Sequence, residues 1–319
     1  MAKTLFLLGT GFIGGSVLNA LLEDKKDQYT ISALCRDPKK ADKLKELGVR
    51  PVQGELASDE LIAKEAAEAD IIMHIATADD LPSVQSILKG LAKRSSSKAP
   101  AVYIHTSGTG VLTVPTRPTD VVFTDKDPKT LDEQIPDDAP HREVDLAIKK
   151  AVESKELNAK VSIILPPCIY GIGTGPFNKI SIQCPLWIRE AIREGKLISH
   201  GPDRTWNNIH IHNLVTGYLT LLSHLEQTSS PPPLYVFAET GVHRWGDIAD
   251  VLDKELKQRK LISGDRVVDP EGSTDTETGT QSRATAEWLR EWGWKVKDLP
   301  SLAESLPHEI DFMRETGAI

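Results

Sequence analysis

Six short segments of the chain are dominated by apolar residues, and most are followed by a stretch in which apolar positions return every three or four residues. The apolar segments fall at residues 5–8, 30–35, 49–53, 70–77, 101–108 and 160–165. Continuous runs of this length suit strands buried on both faces of a sheet. Helices are predicted after Gly14, where Val17, Leu18, Leu21 and Leu22 recur at helical intervals, and at 38–47, 61–69, 81–91 and 141–157. In the last of these Val144, Ala147, Ile148, Ala151 and Val152 form the apolar stripe. This rhythm predicts an α/β fold with a doubly wound parallel sheet, whose ligands bind beyond the carboxyl ends of the strands.

The rhythm lapses in two places. Residues 111–140 are rich in proline and acidic side chains and show little periodicity, as expected of a functional lid or rim. After residue 171 the pattern loosens. Residues 172–202 mix glycine, proline and apolar residues around a helix at 186–194. A strand at 206–212 leads into a helix at 214–225, and a late strand follows at 234–238. Helices are expected at 247–258 and 283–291, with a polar loop at 264–281. The predicted organisation is a nucleotide-binding domain of residues 1–170 plus about 203–240, with a smaller mixed α/β substrate lobe of residues 171–202 and 241–319.

The strand-to-helix junction at the N-terminus carries the first chemistry. Gly9, Gly11 and Gly14 stand at GxGxxG spacing, interleaved with Thr10, Phe12 and Ile13. The first glycine permits the turn, the second lets backbone approach a pyrophosphate, and the third lets helix and strand pack closely. The helix N-terminus adds free N–H groups and a positive dipole end. Arg36 and Lys40 follow the second strand, where a 2′-phosphate would be welcomed, so NADP(H) is expected over NAD(H). Asp37 is the counter-signal. Glu55 and Leu56 are expected beside the adenine, and Ala76 and Thr77 near the pyrophosphate or nicotinamide ribose. His74, inside an apolar strand, is expected to be a hydrogen-bonded core residue.

Composition narrows the class of protein. The net charge of −8 argues against nucleic acid or an anionic membrane as partner. Three widely spaced cysteines argue against a disulfide framework or zinc and for a reducing, cytoplasmic setting. The apolar stretch after Lys3 is broken by glycines, which fits the nucleotide turn better than a signal peptide. No run approaches the roughly 18 apolar residues of a membrane span.

Taken together, GTGFIGG at 9–15, CRDPKK at 35–40, IHTSGTG at 104–110, PPCIYG at 166–171 and WNNIHIHNL at 206–214 resemble the extended short-chain dehydrogenase/reductase family, in its epimerase/dehydratase-like and dihydroflavonol-reductase-like branches. The resemblance implies a Rossmann core and a smaller lobe that closes over substrate. It implies cofactor contacts at Thr106 and at Pro166, Pro167, Cys168 and Ile169. It also implies a homodimer through the helices at 81–91 and 141–157. The family's chemistry uses a serine or threonine at the end of the fifth strand and a Tyr-x-x-x-Lys pair on the following helix. The serine carries over to Ser107. None of the five tyrosines has lysine four residues later, so the pair is absent.

His141 and Asp145 stand where that pair belongs, spaced i,i+4 and therefore on one helical face. A carboxylate beside a histidine orients it and favours the imidazolium, giving a workable acid near neutral pH. The sharp expectation is Ser107 as donor to a carbonyl oxygen, His141 as acid/base and Asp145 as its orienting partner. Asp145 could instead accept hydrogen bonds from the ribose hydroxyls, and the bland alternative is a helix-start histidine and a surface carboxylate. Tyr170 is a further candidate donor, more simply read as packing. Arg283, at the start of a predicted helix, could reach an anionic substrate group or remain a surface residue. His210 and His212 would face one way in a strand, but no third ligand is evident and no metal is expected. Trp245, Trp288, Trp292 and Trp294 are expected to pack the smaller lobe. The function expected is an NADP(H)-dependent oxidoreductase acting on a small or medium organic substrate. An epimerase, isomerase or lyase that retains its nucleotide, and an NmrA-like NADP sensor, are the alternatives.

Overall fold

The computed structural model describes residues 2–25, 27–113, 120–271 and 278–319. Parts of the expected rim (114–119) and of the expected polar loop (272–277) lie outside the described residues. The first half of the chain alternates as its pattern requires: β1 (Lys3–Leu8), α1 (Phe12–Asp24), β2 (Tyr29–Cys35), α2 (Pro38–Glu46), β3 (Arg50–Gln53), α3 (Asp59–Glu68), β4 (Ile71–His74), α4 (Leu81–Lys93) and β5 (Ala101–Thr106). A 3-10 turn at Thr109–Leu112 precedes β6 (Phe123–Thr124), α5 (Pro128–Gln134), α6 (Arg142–Glu153) and β7 (Ala159–Leu165). The remainder comprises β8 (Cys168–Tyr170), α7 (Gln183–Glu194), β9 (Ile198–His200), β10 (Thr205–His210), α8 (Ile211–Gln227), β11 (Tyr235–Phe237), β12 (Gly241–Arg244), α9 (Trp245–Gln258), β13 (Val267–Asp269), β14 (Ala284–Thr285), α10 (Glu287–Glu291) and α11 (Leu302–Glu315).

Seven strands form one parallel sheet in the order β11-β7-β5-β4-β1-β2-β3, a Rossmann arrangement. Its centre is apolar on both faces: Leu5, Phe6, Leu7 and Leu8 are all fully buried. The strand order reverses between β1 and β4, which opens the crevice where such sheets bind ligands. α2 and α4 start where side chains cap them. Asp37 accepts from the Lys39 N–H at 2.8 Å and Asp80 from the Ser83 N–H at 2.8 Å, each with proline in the first turn.

A second core lies outside the sheet. Trp187, Trp206 and Trp245 meet edge to face, with ring centroids 6.0 and 5.8 Å apart, among side chains of α7, α9 and α11. Trp288, Trp292 and Trp294, expected here, instead pack against the nucleotide-binding core. Trp288 stacks on Trp292, which stacks on His224 of α8. The C-terminal region therefore returns to the first core before ending, through α11, in the second.

Several sequence expectations need correction. The stretch at 111–140 contains α5, whose cap is Asp127. The predicted helix at 283–291 is a short strand followed by a shorter helix, so Arg283 precedes β14 rather than opening a helix. α11 has a complete capping box, Ser301 with Glu304. The strand at 206–212 ends at His210, whose side chain caps α8 by accepting the His212 N–H at 3.1 Å. His210 and His212 are therefore neighbours through a helix start, with rings 4.8 Å apart, and not through strand alternation.

Candidate active site

The glycine turn forms an open cradle at the start of α1. Gly9 has φ of 103° and lies against the backbone of Ala76, where a side chain has no room. Gly14 packs on the Gly9 carbonyl. Gly11 caps α1 without a side-chain hydrogen bond, and a Cβ placed on it would meet nothing within 4 Å. No acidic residue occupies the first turn of α1. A pyrophosphate therefore fits here without steric or charge conflict. Thr10, Phe12 and Ile13 complete this turn. Thr77 Oγ1 accepts the Asp79 N–H at 3.2 Å beside it, and Ala76 is exposed.

At the end of β2, Arg36 and Lys40 are exposed and form no ion pair among the described residues. Gln53 Nε2 donates to the Arg36 carbonyl at 3.0 Å, which fixes the strand end. Asp37, the residue that argued for NAD, is occupied as the cap of α2. Glu55 is exposed and Leu56 half-buried on the following turn. The chain after β8 crosses back onto α1: the Thr174 N–H donates to Ser16 Oγ at 3.2 Å, Gly175 packs on Gly15, and Lys40 Nζ lies 5.2 Å from the Phe177 ring centre. Sequence reasoning missed this strap. The glycines of GIGTGPF at 171–177 were its only signal.

Two polar pairs meet beyond β5. Ser107 Oγ donates to Asp145 Oδ2 at 2.9 Å, and both residues are buried. Asp145, in the first turn of α6, is fully enclosed, and burial pushes its carboxyl up to about 7 despite the Ser107 hydrogen bond. His141 Nδ1 lies 2.7 Å from Asp79 Oδ1, and that bond holds the Asp79 carboxyl below the usual carboxylate range. His141 is the non-glycine N-cap of α6 at φ of 66°, a left-handed conformation that costs about 1–3 kcal/mol. It brings the ring against Gly108, where an added Cβ would stand 3.2 Å from Nε2.

The partnership expected from spacing is thus rearranged. His141 and Asp145 do share the start of α6, but the carboxylate bonded to His141 is Asp79, and Asp145 serves Ser107. The i,i+4 rule placed the two on one face without showing that Ser107, arriving from β5, lies closer to Asp145. Asp79 was unreadable as a partner because its loop joins α6 only in the folded chain.

Other candidates are directed elsewhere. Thr106 alternates to the opposite face of β5 and meets the Tyr218 hydroxyl at 2.6 Å, so its side chain does not face the cleft. The Tyr170 hydroxyl donates to the Pro300 carbonyl at 3.1 Å, and burial pushes it up to about 12. It packs in the second core together with Cys168. The Pro166 carbonyl accepts the Thr109 N–H at 3.0 Å, and Pro167 and the half-buried Ile169 continue that wall. Arg283 is half-buried beside Ser282, which donates to the Thr109 carbonyl at 2.8 Å. His74 is a hydrogen-bonded core residue, as expected. Among the described residues no group of three His, Cys, Asp or Glu side chains could hold a metal, and no helix is long and apolar enough to cross a membrane.

Known proteins match this chain in sequence and in fold. A NAD(P)H-binding family matches residues 9–134. An oxidase of an Acremonium species, ucsJ, is 30% identical over 288 residues, covering 83% of this chain and 82% of the oxidase. The dTDP-glucose 4,6-dehydratase DesIV of Streptomyces venezuelae, solved with NAD and TYD bound, superposes with a TM-score of 0.71 at 16% identity, covering 99% of this chain and 98% of its own. UDP-glucose 4-epimerase of Thermotoga maritima, solved with UDP-glucose, gives 0.68 at 15% identity, covering 98% and 99%. The two solved structures share the fold of this chain.

Proposed function

The chain belongs to an NAD(P)H-binding family, and on that premise we propose that it is an NADP(H)-dependent oxidoreductase of the epimerase/dehydratase-like short-chain kind, interconverting a hydroxyl and a carbonyl on a small or medium organic molecule. The observation that carries this reading is the convergence of Ser107–Asp145 and His141–Asp79 around Gly108, at the carboxyl end of β5. Bound in the adjoining cradle, the nicotinamide would supply or accept the hydride.

The protein's own residues handle the proton. Ser107 gives its hydrogen to Asp145, so its oxygen lone pairs remain for a substrate hydroxyl. In oxidation the substrate proton passes to Ser107 Oγ as the Ser107 proton passes to Asp145 Oδ2. Reduction reverses both transfers, starting from the neutral Asp145 acid. A carboxyl that titrates near 7 can serve both directions at neutral pH. His141, anchored by Asp79, is the second acid/base group and contacts the substrate from the side of Gly108. The oxidase relative supports redox chemistry as the class of reaction. Arg36 and Lys40 support NADP(H), since the two cations lie between the end of β2 and the first turn of α2 and neither is neutralised by a carboxylate among the described residues.

The test is cofactor turnover against a panel of alcohols, aldehydes and ketones. The reading expects NADP(H) absorbance to change with at least one substrate class and Ser107→Ala to abolish it. Tight cofactor binding with no turnover across the panel would contradict it.

A further inference from the structure

The face of the sheet that carries Ser107 also carries a buried polar row with no part in the scheme above. Tyr103, His105 and Ser107 alternate along β5 and its exit, so they share one face. His74 stands opposite His105 in the β4–β5 register. His105 Nδ1 and His74 Nδ1 are 3.0 Å apart, and His74 Nε2 is 3.1 Å from Ser83 Oγ. Ser83 Oγ donates to the Asp80 carbonyl at 3.0 Å, where the row reaches the β4–α4 turn.

The direction of every hydrogen bond in this row is set from its far end. The Asp80 carbonyl can only accept, so it takes the one Ser83 hydroxyl hydrogen. Ser83 then accepts from His74, which places the His74 hydrogen on Nε2. The bare His74 Nδ1 accepts from His105 Nδ1–H. His105 Nε2 is left as a lone pair. Both rings are neutral, because burial takes His74 down to about 4 and His105 well below its ordinary value.

That lone pair has no protein partner. The Tyr103 hydroxyl and Asp145 Oδ1 share this condition, and Tyr103, His105 and Asp145 are all fully buried. Asp145 and Tyr103 are linked electrostatically: burial raises the phenol, and the carboxylate adds to it. The three atoms offer one hydrogen and two acceptors. A water molecule offers the complement, one acceptor site and two hydrogens, and internal waters typically make about three such bonds.

We propose that one internal water is held between Tyr103, His105 and Asp145, and that it joins the Ser107–Asp145 pair to the His105–His74–Ser83 row. Tyr103 and His105 are then positioning residues. Through the water they give Asp145 Oδ1 a donor when the carboxyl is ionised, matching the donor that Ser107 gives Oδ2. The other titratable or charged groups that act on Asp145 are His141 and Arg142 on α6, Asp79 on the β4–α4 turn and Tyr235 on β11. The catalytic consequence rests on the proposed role of Ser107 and Asp145, whereas the water itself does not.

Two measurements that do not require turnover test it: an atomic-resolution crystal structure of the full chain, and a carboxyl-carbon NMR titration with Asp145 assigned by difference from Asp145→Asn. The expected result is one ordered water bonded to all three atoms, lost in His105→Phe, with the Asp145 midpoint moved upward in that variant. The pH profile of kcat should move with it, and kcat at neutral pH should fall about tenfold while cofactor KM stays within about twofold. If His105→Phe does not fold, Tyr103→Phe, which loses only a hydroxyl, should shift the midpoint the same way. Other internal waters resolved but none here, or an Asp145 midpoint unmoved in the folded variant, would overturn the proposal. The water and the shift found together with normal turnover by Ser107→Ala would sink the functional scheme and leave the water standing.

Discussion

Ser107 Oγ donates to Asp145 Oδ2 at 2.9 Å, and the carboxyl that receives it is fully enclosed between β5 and α6. A charge so placed is unfavourable to the fold and useful to a proton transfer. The conflict makes the pair measurable by stability as well as by rate.

The stability consequence has a definite sign. The Asp145 carboxyl titrates near 7 in the folded chain against an ordinary value of 3.8. Between those limits the folded state keeps a proton that the unfolded state has lost, so stability contributed by this group is present at low pH and lost as pH rises through 7. The loss is on the order of a few kcal/mol. Asp145→Asn escapes it. Thermal melts from about pH 4 to 8 should show the variant gaining on wild type as pH rises, with the gain levelling above about 7. Glu309, also buried and near 7, is common to both proteins and cancels. A difference in Tm that is flat with pH would show Asp145 to be unperturbed.

His141 and Asp79 should behave as one unit. His141→Phe is expected to lower kcat/KM by about a hundredfold, and Asp79→Ala by roughly tenfold because it acts through the histidine. The double variant should be no slower than His141→Phe alone. Steady-state kinetics on all three decides this, and multiplicative losses would mean that the 2.7 Å contact has no part in turnover.

Cofactor choice should reside in two cations. Arg36→Ala and Lys40→Ala should each raise the Kd for NADPH about tenfold and leave NADH within about twofold. Calorimetric titration of both cofactors tests it; equal weakening of the two would assign these residues to general charge and not to a 2′-phosphate.

Gly11→Ala separates cradle from fold. Its Cβ meets no protein atom within 4 Å, so Tm should stay within a few degrees. The same methyl would stand where the pyrophosphate approaches, and NADPH affinity should fall more than about tenfold. Unchanged affinity would move the phosphates away from this turn.

The seven-stranded sheet and its helices were legible because their signals are local. The apolar run of β1, the glycines after it and the proline-led caps of α2 and α4 each announce an element within a few residues. The site was half legible. Ser107 and the start of α6 could be placed, since both follow from strand ends and helix periodicity. The pairing could not, because Asp79 reaches His141 across 62 residues of sequence and Ser107 reaches Asp145 across 38. The second core and its small sheet were least legible. β8, β10 and β12 are short and their pairing is mixed, parallel on one side and antiparallel on the other. The tryptophans of 288–294 follow contacts with α8 that no local pattern encodes. Even α11, with a capping box in plain sight at Ser301 and Glu304, was not anticipated.

The most direct test follows the hydrogen itself. NADPH carrying deuterium at the nicotinamide C4 should be incubated with the carbonyl panel and the products weighed by mass spectrometry. The account predicts deuterium on the former carbonyl carbon of one product class, and none from Ser107→Ala loaded with the same cofactor to the same occupancy. Product formed without deuterium, or labelled equally by Ser107→Ala, would contradict it.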